Sequence, residues 1–216
     1  MTALTWDGTG VRFFETGIDK GVIYPMDGSG DYPLGVAWNG LISVSESPSG
    51  AEPSALYADN IKYLTLMSVE EFAATIEAFT YPPEFGLLDG SVEAIAGMLL
   101  GQQPRGKFGM VYRTRLGNDV AGDALGYKLH LLYGLLAAPS EKGYQTVSDS
   151  PEAITFSWEV NSTPAAVSGE QPVSVITIDS TLATAPELAL LELQLFGDSG
   201  DPNLPSPDEV LVLMTP

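Results

Sequence analysis

The sequence predicts a mainly-β (α+β) antiparallel protein with one flanking helix, on three observations. Three separate stretches alternate between apolar and polar residues. Gly (23) and Pro (16) are abundant and clustered, as many turns between short elements require. One segment only, residues 184–196, carries helix signals at both ends. At 216 residues a single domain, 1–216, is the default.

Taken in order, residues 1–33 are irregular. Gly8, Gly10, Gly17, Gly21, Gly28 and Gly30 recur there with Pro25 and Pro33, and the apolar residues follow no long period. This stretch is expected to be an extended N-terminal arm lying on something else. Residues 38–45 read as a strand, residues 46–54 as a polar loop, and residues 61–67 as a second strand. Residues 69–81 fit a helix through Phe72, Ile76 and Phe79, and a strand equally well; Pro82 and Pro83 end it either way. Residues 84–103 look loop-like, with a short helical turn over 92–100.

The clearest alternation follows. Phe108, Met110 and Tyr112 oppose Lys107, Val111, Arg113 and Arg115. Tyr127, Leu129, Leu131 and Tyr133 oppose Lys128 and His130, and Ile154, Phe156, Trp158 and Val160 oppose Thr155, Ser157 and Glu159. A period of two marks half-buried strands of an antiparallel sheet. Residues 173–178 are apolar on both faces, which suits a central or interface strand. The helix has Thr184 and Glu187 in a capping-box pattern with Pro186 in its first turn, then Leu188, Leu191 and Leu195 at helical spacing, and Gly197 to close it. Residues 197–216 form a C-terminal loop rich in Gly, Asp and Pro, and a last short strand over 209–214. No internal repeat is present.

Composition narrows the function. The chain has 28 Asp and Glu against 9 Lys and Arg, a formal charge of −19, yet 44% of its residues are hydrophobic. An acidic disordered chain lacks that apolar content, so the acidity decorates a real core. Nucleic-acid backbones and anionic membranes repel such a surface. The N-terminus shows no secretory signal, and the longest apolar stretch, 129–138, is too short to span a bilayer. A cytoplasm-made protein with no membrane association is expected. With no Cys and a single His, catalytic side chains are scarce, and no cofactor or metal is expected.

Candidate chemistry is correspondingly thin. Gly197-Asp198-Ser199-Gly200 matches the residues around the nucleophile of trypsin-like serine proteases. That chemistry needs a His base held by a carboxylate; His130 sits on a strand and the accompanying His and Cys motifs are missing, so a helix-terminating turn is the better reading. Asp27 to Asp31 hints at a calcium loop, but an EF-hand needs Gly at the sixth position and Glu at the twelfth, where Tyr32 and Trp38 stand. A plain turn explains it. His130 reads as a solvent-facing or interface residue, since no second His exists to complete a zinc site. A carboxylate pair for glycoside hydrolysis stays open as an alternative. Asn161-Ser162-Thr163 is a sequon by chance in a chain with no signal peptide. Arg105, Lys107, Arg113 and Arg115 supply four of the nine positive charges. In so acidic a chain they are expected to form a subunit interface, meeting the acids of another copy. On that reading Arg113→Glu opposes assembly and leaves the subunit's melting temperature nearly unchanged.

Several segments together resemble a known family. They are Trp38-Asn-Gly-Leu-Ile-Ser-Val-Ser-Glu-Ser-Pro-Ser-Gly-Ala-Glu-Pro-Ser-Ala-Leu-Tyr57-Ala-Asp-Asn60, Glu77-Ala-Phe-Thr-Tyr-Pro-Pro-Glu-Phe85, Phe108-Gly-Met-Val-Tyr-Arg-Thr-Arg-Leu-Gly-Asn-Asp119, Gly126-Tyr-Lys-Leu-His130 and Leu204-Pro-Ser-Pro-Asp-Glu-Val210. In order and spacing they resemble the major tail proteins of long-tailed phages with non-contractile tails. The resemblance implies an antiparallel β-sandwich or barrel-like tail-tube fold, six copies to a ring, and rings stacked around a lumen that conducts DNA without binding it. It implies a long loop (46–54) and the termini acting as arms between rings. The partners implied are other copies of the chain, a tape-measure protein, and tail-tip or head–tail connector proteins. The location implied is the virion tail, after assembly in the host bacterial cytoplasm, with no enzymatic role. The chain ends too early for the extra C-terminal immunoglobulin-like domain of some relatives. The alternatives are a β-sandwich carbohydrate-active enzyme, or another virion component such as a head-decoration or adhesin protein.

Overall fold

The computed structural model describes residues 4, 6–146, 153–198 and 200–215. Along the chain run β1 (Phe13–Pro25), β2 (Val36–Ala37), β3 (Leu41–Glu46), β4 (Ser49–Gly50), β5 (Pro53–Ala58), β6 (Ile61–Met67), β7 (Glu70–Glu71), β8 (Ala73–Ala78) and the one-turn helix α1 (Phe85–Leu88). Then come β9 (Val92–Ile95), β10 (Met98–Leu100), β11 (Phe108–Asn118), β12 (Gly122–Ala137), β13 (Phe156–Ser162), β14 (Val175–Asp179), α2 (Ala185–Phe196) and α3 (Pro207–Leu213). The fold is mainly β with a large antiparallel sheet, as the alternation required.

That sheet runs β2-β1-β11-β12-β13-β8-β3. Strand β12 is shared. Residues 128–132 pair with β14 and residues 135–137 with β13. The sheet curls until β3 meets β1 again: the Trp38 N–H donates to Gly21 O at 2.8 Å, and a Cβ on Gly21 would lie 2.9 Å from Leu41. One core fills the curl. It contains Ile23, Ile76, Phe108, Met110, Leu132 and Trp158, each fully buried. The second core lies on the opposite face, where Val111, Leu129, Leu131 and Tyr133 meet Leu188, Leu191 and Leu195 of α2 and Val210 of α3. The middle of β11 and of β12 is therefore buried on both sides, and α2 and α3 form an outer layer.

Gly134 makes the double burial possible. Up to it the alternation sends Leu131 and Tyr133 to the helix side and Leu132 into the curl; beyond it Leu135 and Ala137 also face the curl. The strand slips by one residue there, since Met110 pairs with Leu132 but Phe108 with Leu135. Gly134 holds φ at +61°, and a Cβ would lie 2.1 Å from Thr163 O.

Several expectations need correction. Residues 1–33 are not one arm. Strand β1 occupies 13–25 of it, paired with β11, and Ile23 and Tyr24 are fully buried. Two register shifts, around Gly17 and Lys20 (φ +65° and +51°), break the period that would have marked a strand. Residues 46–54 are not a plain loop: β4 pairs with β7 and β5 with β6. The ambiguous 69–81 stretch holds the short β7 and then strand β8, with Ala74, Ile76 and Ala78 buried in alternation. Residues 92–100 form a hairpin, β9 and β10, turned at Gly97. The last strand is helix α3. Ser206 caps it, accepting from the Glu209 N–H, while the Glu209 carboxylate accepts from the Ser206 N–H; Pro207 opens its first turn. Helix α2 lies where expected, but Thr184 makes no side-chain capping bond.

Candidate functional site

The four basic residues are scattered, and each has a partner within the chain. Arg113 grips Asp19 with two bonds, Nε to Oδ1 at 2.7 Å and Nη2 to Oδ2 at 2.9 Å, and lies 4.9 Å over the Tyr127 ring. Arg115 reaches Asp19 and Asp123, both at 3.4 Å. Arg105 donates to the carbonyls of Ala137 and Asp89 and sits 3.8 Å from the Asp89 carboxylate, which Lys142 also holds. Lys107 donates to Thr163 Oγ1 at 3.2 Å. Sequence reading did not anticipate these partners within the chain. Register explains it: Asp19 stands directly across the β1–β11 ladder from Arg113, a pairing of residues 94 apart that no local pattern reveals.

Asp19 is held below the usual carboxylate range chiefly by its hydrogen bonds to Arg113, against partial burial. Burial raises Glu15, but its bonds from Lys128 and Thr114 outweigh that and lower it overall.

The motifs behave as turns. The Asp27 carboxylate accepts from the Ser29 and Asp31 N–H groups, an Asx turn. Gly197 closes α2 at φ +77°; Ser199 lies outside the described residues. Among the described residues no group of three or more His, Asp or Glu is placed to hold a metal ion. His130 is not solvent-facing. Its side chain is only 13% exposed and stacks flat on Tyr112, with ring centres 4.6 Å apart.

Sequence reading placed a strand at 61–67, which is β6, but missed its partner β5 and with it a projecting apolar ribbon. Strands β5 and β6 pair only with each other, continuing outward from the β4–β7 ladder. The ribbon turns at Asp59 and Asn60, with φ of +51° and +62°, the left-handed pair of a tight hairpin turn. Every residue of β6 is exposed. Leu56 faces Leu64 and Ser54 faces Leu66, so one face shows a leucine cluster, while Tyr63 and Met67 belong to the other. The signal was an Asp-Asn turn between two apolar runs. The β9–β10 hairpin similarly exposes Ile95, Met98 and Leu99, and Trp6, Phe13 and Phe14 are exposed near the N-terminus.

No protein-family model matches the sequence, and no curated protein matches it at a significant level. No helix among the described residues is long and apolar enough to cross a membrane.

Proposed function

We propose that this chain is a structural subunit of a phage tail tube, assembling with copies of itself into stacked rings around an acidic lumen. The observation that carries this reading is the ribbon. A two-stranded hairpin with no packing layer is marginally stable in water, and contiguous apolar surface of this kind marks an interaction site. On this reading the occupant is a second copy of the chain, as the family resemblance implies, with the exposed apolar residues of the β5–β6 and β9–β10 hairpins available to meet across copies. The charge of −19 complements the reading from the other side. A lumen lined by carboxylates repels the DNA passing through it and gives it nowhere to stick. The family resemblance supplies the ring number of six, the tape-measure, tail-tip and connector partners, and the place in the virion tail.

Negative-stain microscopy of purified protein, and of intact particles labelled with an antibody to the chain, tests the proposal. The expected images are hollow tubes and labelling along a tail. Labelling confined to the head or to the tail tip overturns it. A globular species that cleaves glycosidic bonds supports the carbohydrate-active alternative instead.

A further inference from the structure

The single histidine occupies a junction. His130 projects from the middle of β12 towards the end of the curl, between the roots of the two exposed apolar segments. Glu15, at the start of β1 where the N-terminal stretch joins the sheet, brings Oε1 to 3.6 Å from Nε2. Glu46, the last residue of β3 and the first step towards the ribbon, brings Oε1 to 3.8 Å from Nδ1. The Tyr112 hydroxyl, under the ring, donates to the same Glu46 oxygen at 2.5 Å. Thr114 Oγ1 lies 3.0 Å from Nε2 and donates to Glu15. Lys128 holds the other Glu15 oxygen at 2.7 Å. On β14, the residues across from His130 and Lys128 are Thr177 and Asp179.

Hydrogen counting fixes the proton. Thr114 has one hydroxyl hydrogen, and Glu15 takes it. Nε2 must then be the donor to Thr114 Oγ1, so the neutral ring carries its hydrogen on Nε2. Nδ1 is left bare. It is buried with no hydrogen-bond partner, and the nearest charge to it is the Glu46 carboxylate. A lone pair facing a carboxylate is an unfavourable arrangement that one added proton reverses.

We propose that His130 is a proton-operated pin: protonation at Nδ1 creates a donor aimed at Glu46 and ties the root of the ribbon to the root of the N-terminal segment. In the neutral state the chain of bonds stops at Nε2–Thr114–Glu15. In the charged state it continues through Nδ1 to Glu46, so β1, β12 and β3 are joined through one ring. Burial pushes the imidazole below its ordinary pKa, against the pull of Glu46 and Glu15, so the pin is open at neutral pH and closes on acidification. This inference concerns the isolated subunit and does not rest on the assembly reading.

The test uses the full chain, in which one histidine gives one pair of imidazole nitrogen signals. At neutral pH, 15N shifts are expected to show a protonated Nε2 and a bare Nδ1. Glu46→Gln keeps an acceptor for Tyr112 and removes the charge; it is expected to move the titration midpoint down by about one pH unit, as loss of an opposite charge within about 4–6 Å should. Hydrogen exchange over residues 46–71, corrected for its intrinsic pH dependence, is expected to slow several-fold in the wild-type chain as pH falls through the midpoint. A neutral ring protonated on Nδ1, a midpoint unmoved by Glu46→Gln, or ribbon exchange that is the same on both sides of the midpoint overturns the proposal.

Discussion

Replacing Arg113 by Ala removes both arms of its grip on Asp19 and its contact with Tyr127. Hydrogen bonds to charged groups contribute about 1.5–3 kcal/mol when buried, whereas exposed ion pairs are worth about 0.2–1 kcal/mol. The Arg113 and Asp19 side chains are 20% and 27% exposed, so the pair falls between these limits, and a loss of about 1–2 kcal/mol is expected. For a domain of this size that lowers Tm by about 3–6 °C. A double-mutant cycle with Asp19→Asn, followed by denaturant unfolding, isolates the pair; a coupling of about 1 kcal/mol is expected. The pH dependence gives a second check. The folded-state pKa of Asp19 is depressed, so its contribution is fully present above the unfolded carboxylate value and is lost as pH falls through the folded one. The coupling should thus be intact at neutral pH and vanish in strong acid. Arg113→Glu sets a carboxylate against Asp19 and should destabilise the subunit more than Arg113→Ala, contrary to the sequence-based expectation of an unchanged Tm. A coupling near zero at neutral pH would mean that the two side chains are merely solvated neighbours, and the reasoning from geometry fails.

Two further outcomes follow from the fold. If the tail-tube proposal holds, Leu64→Asp together with Leu66→Asp should abolish assembly in sedimentation and microscopy while shifting the subunit's Tm very little, because both side chains are exposed; normal tubes from this variant would remove the ribbon from the proposed interface. Gly134→Ala should cost about 3 kcal/mol or more in denaturant unfolding, since a positive φ and a 2.1 Å approach to Thr163 O act together, and a near-neutral result would show that the slip in β12 can be absorbed elsewhere.

Strands were legible where one face is wholly apolar over several residues. The alternations over Phe108–Tyr112 and Tyr127–Tyr133 lie in β11 and β12, that over Ile154–Val160 lies in β13 except for its first two residues, and Leu188, Leu191 and Leu195 turned inward on α2. Legibility failed in two ways. In β1 two bulges split the period, so a 13-residue strand read as irregular chain. In α3 the run Val210-Leu211-Val212-Leu213 suggested a strand, although Ser206, Pro207 and Glu209 carried the same start signal that identified α2. The ionic partners were invisible for a different reason. Asp19, Asp89 and Glu15 meet their cations only because of ladder register and loop closure, and among 28 acids composition offers no way to choose them.

The pairing of β1 with β11 also sets the order in which the molecule can form. Phe13 meets Asn118 and Pro25 meets Phe108, so the sheet cannot be completed until more than half of the chain has been made. Closing so long a loop is slow, and during that interval the edge of β11 and the apolar ribbon are both uncovered, the condition under which nascent chains aggregate. The excess of carboxylates then has a role in the unfinished chain. It keeps unfinished copies apart by mutual repulsion.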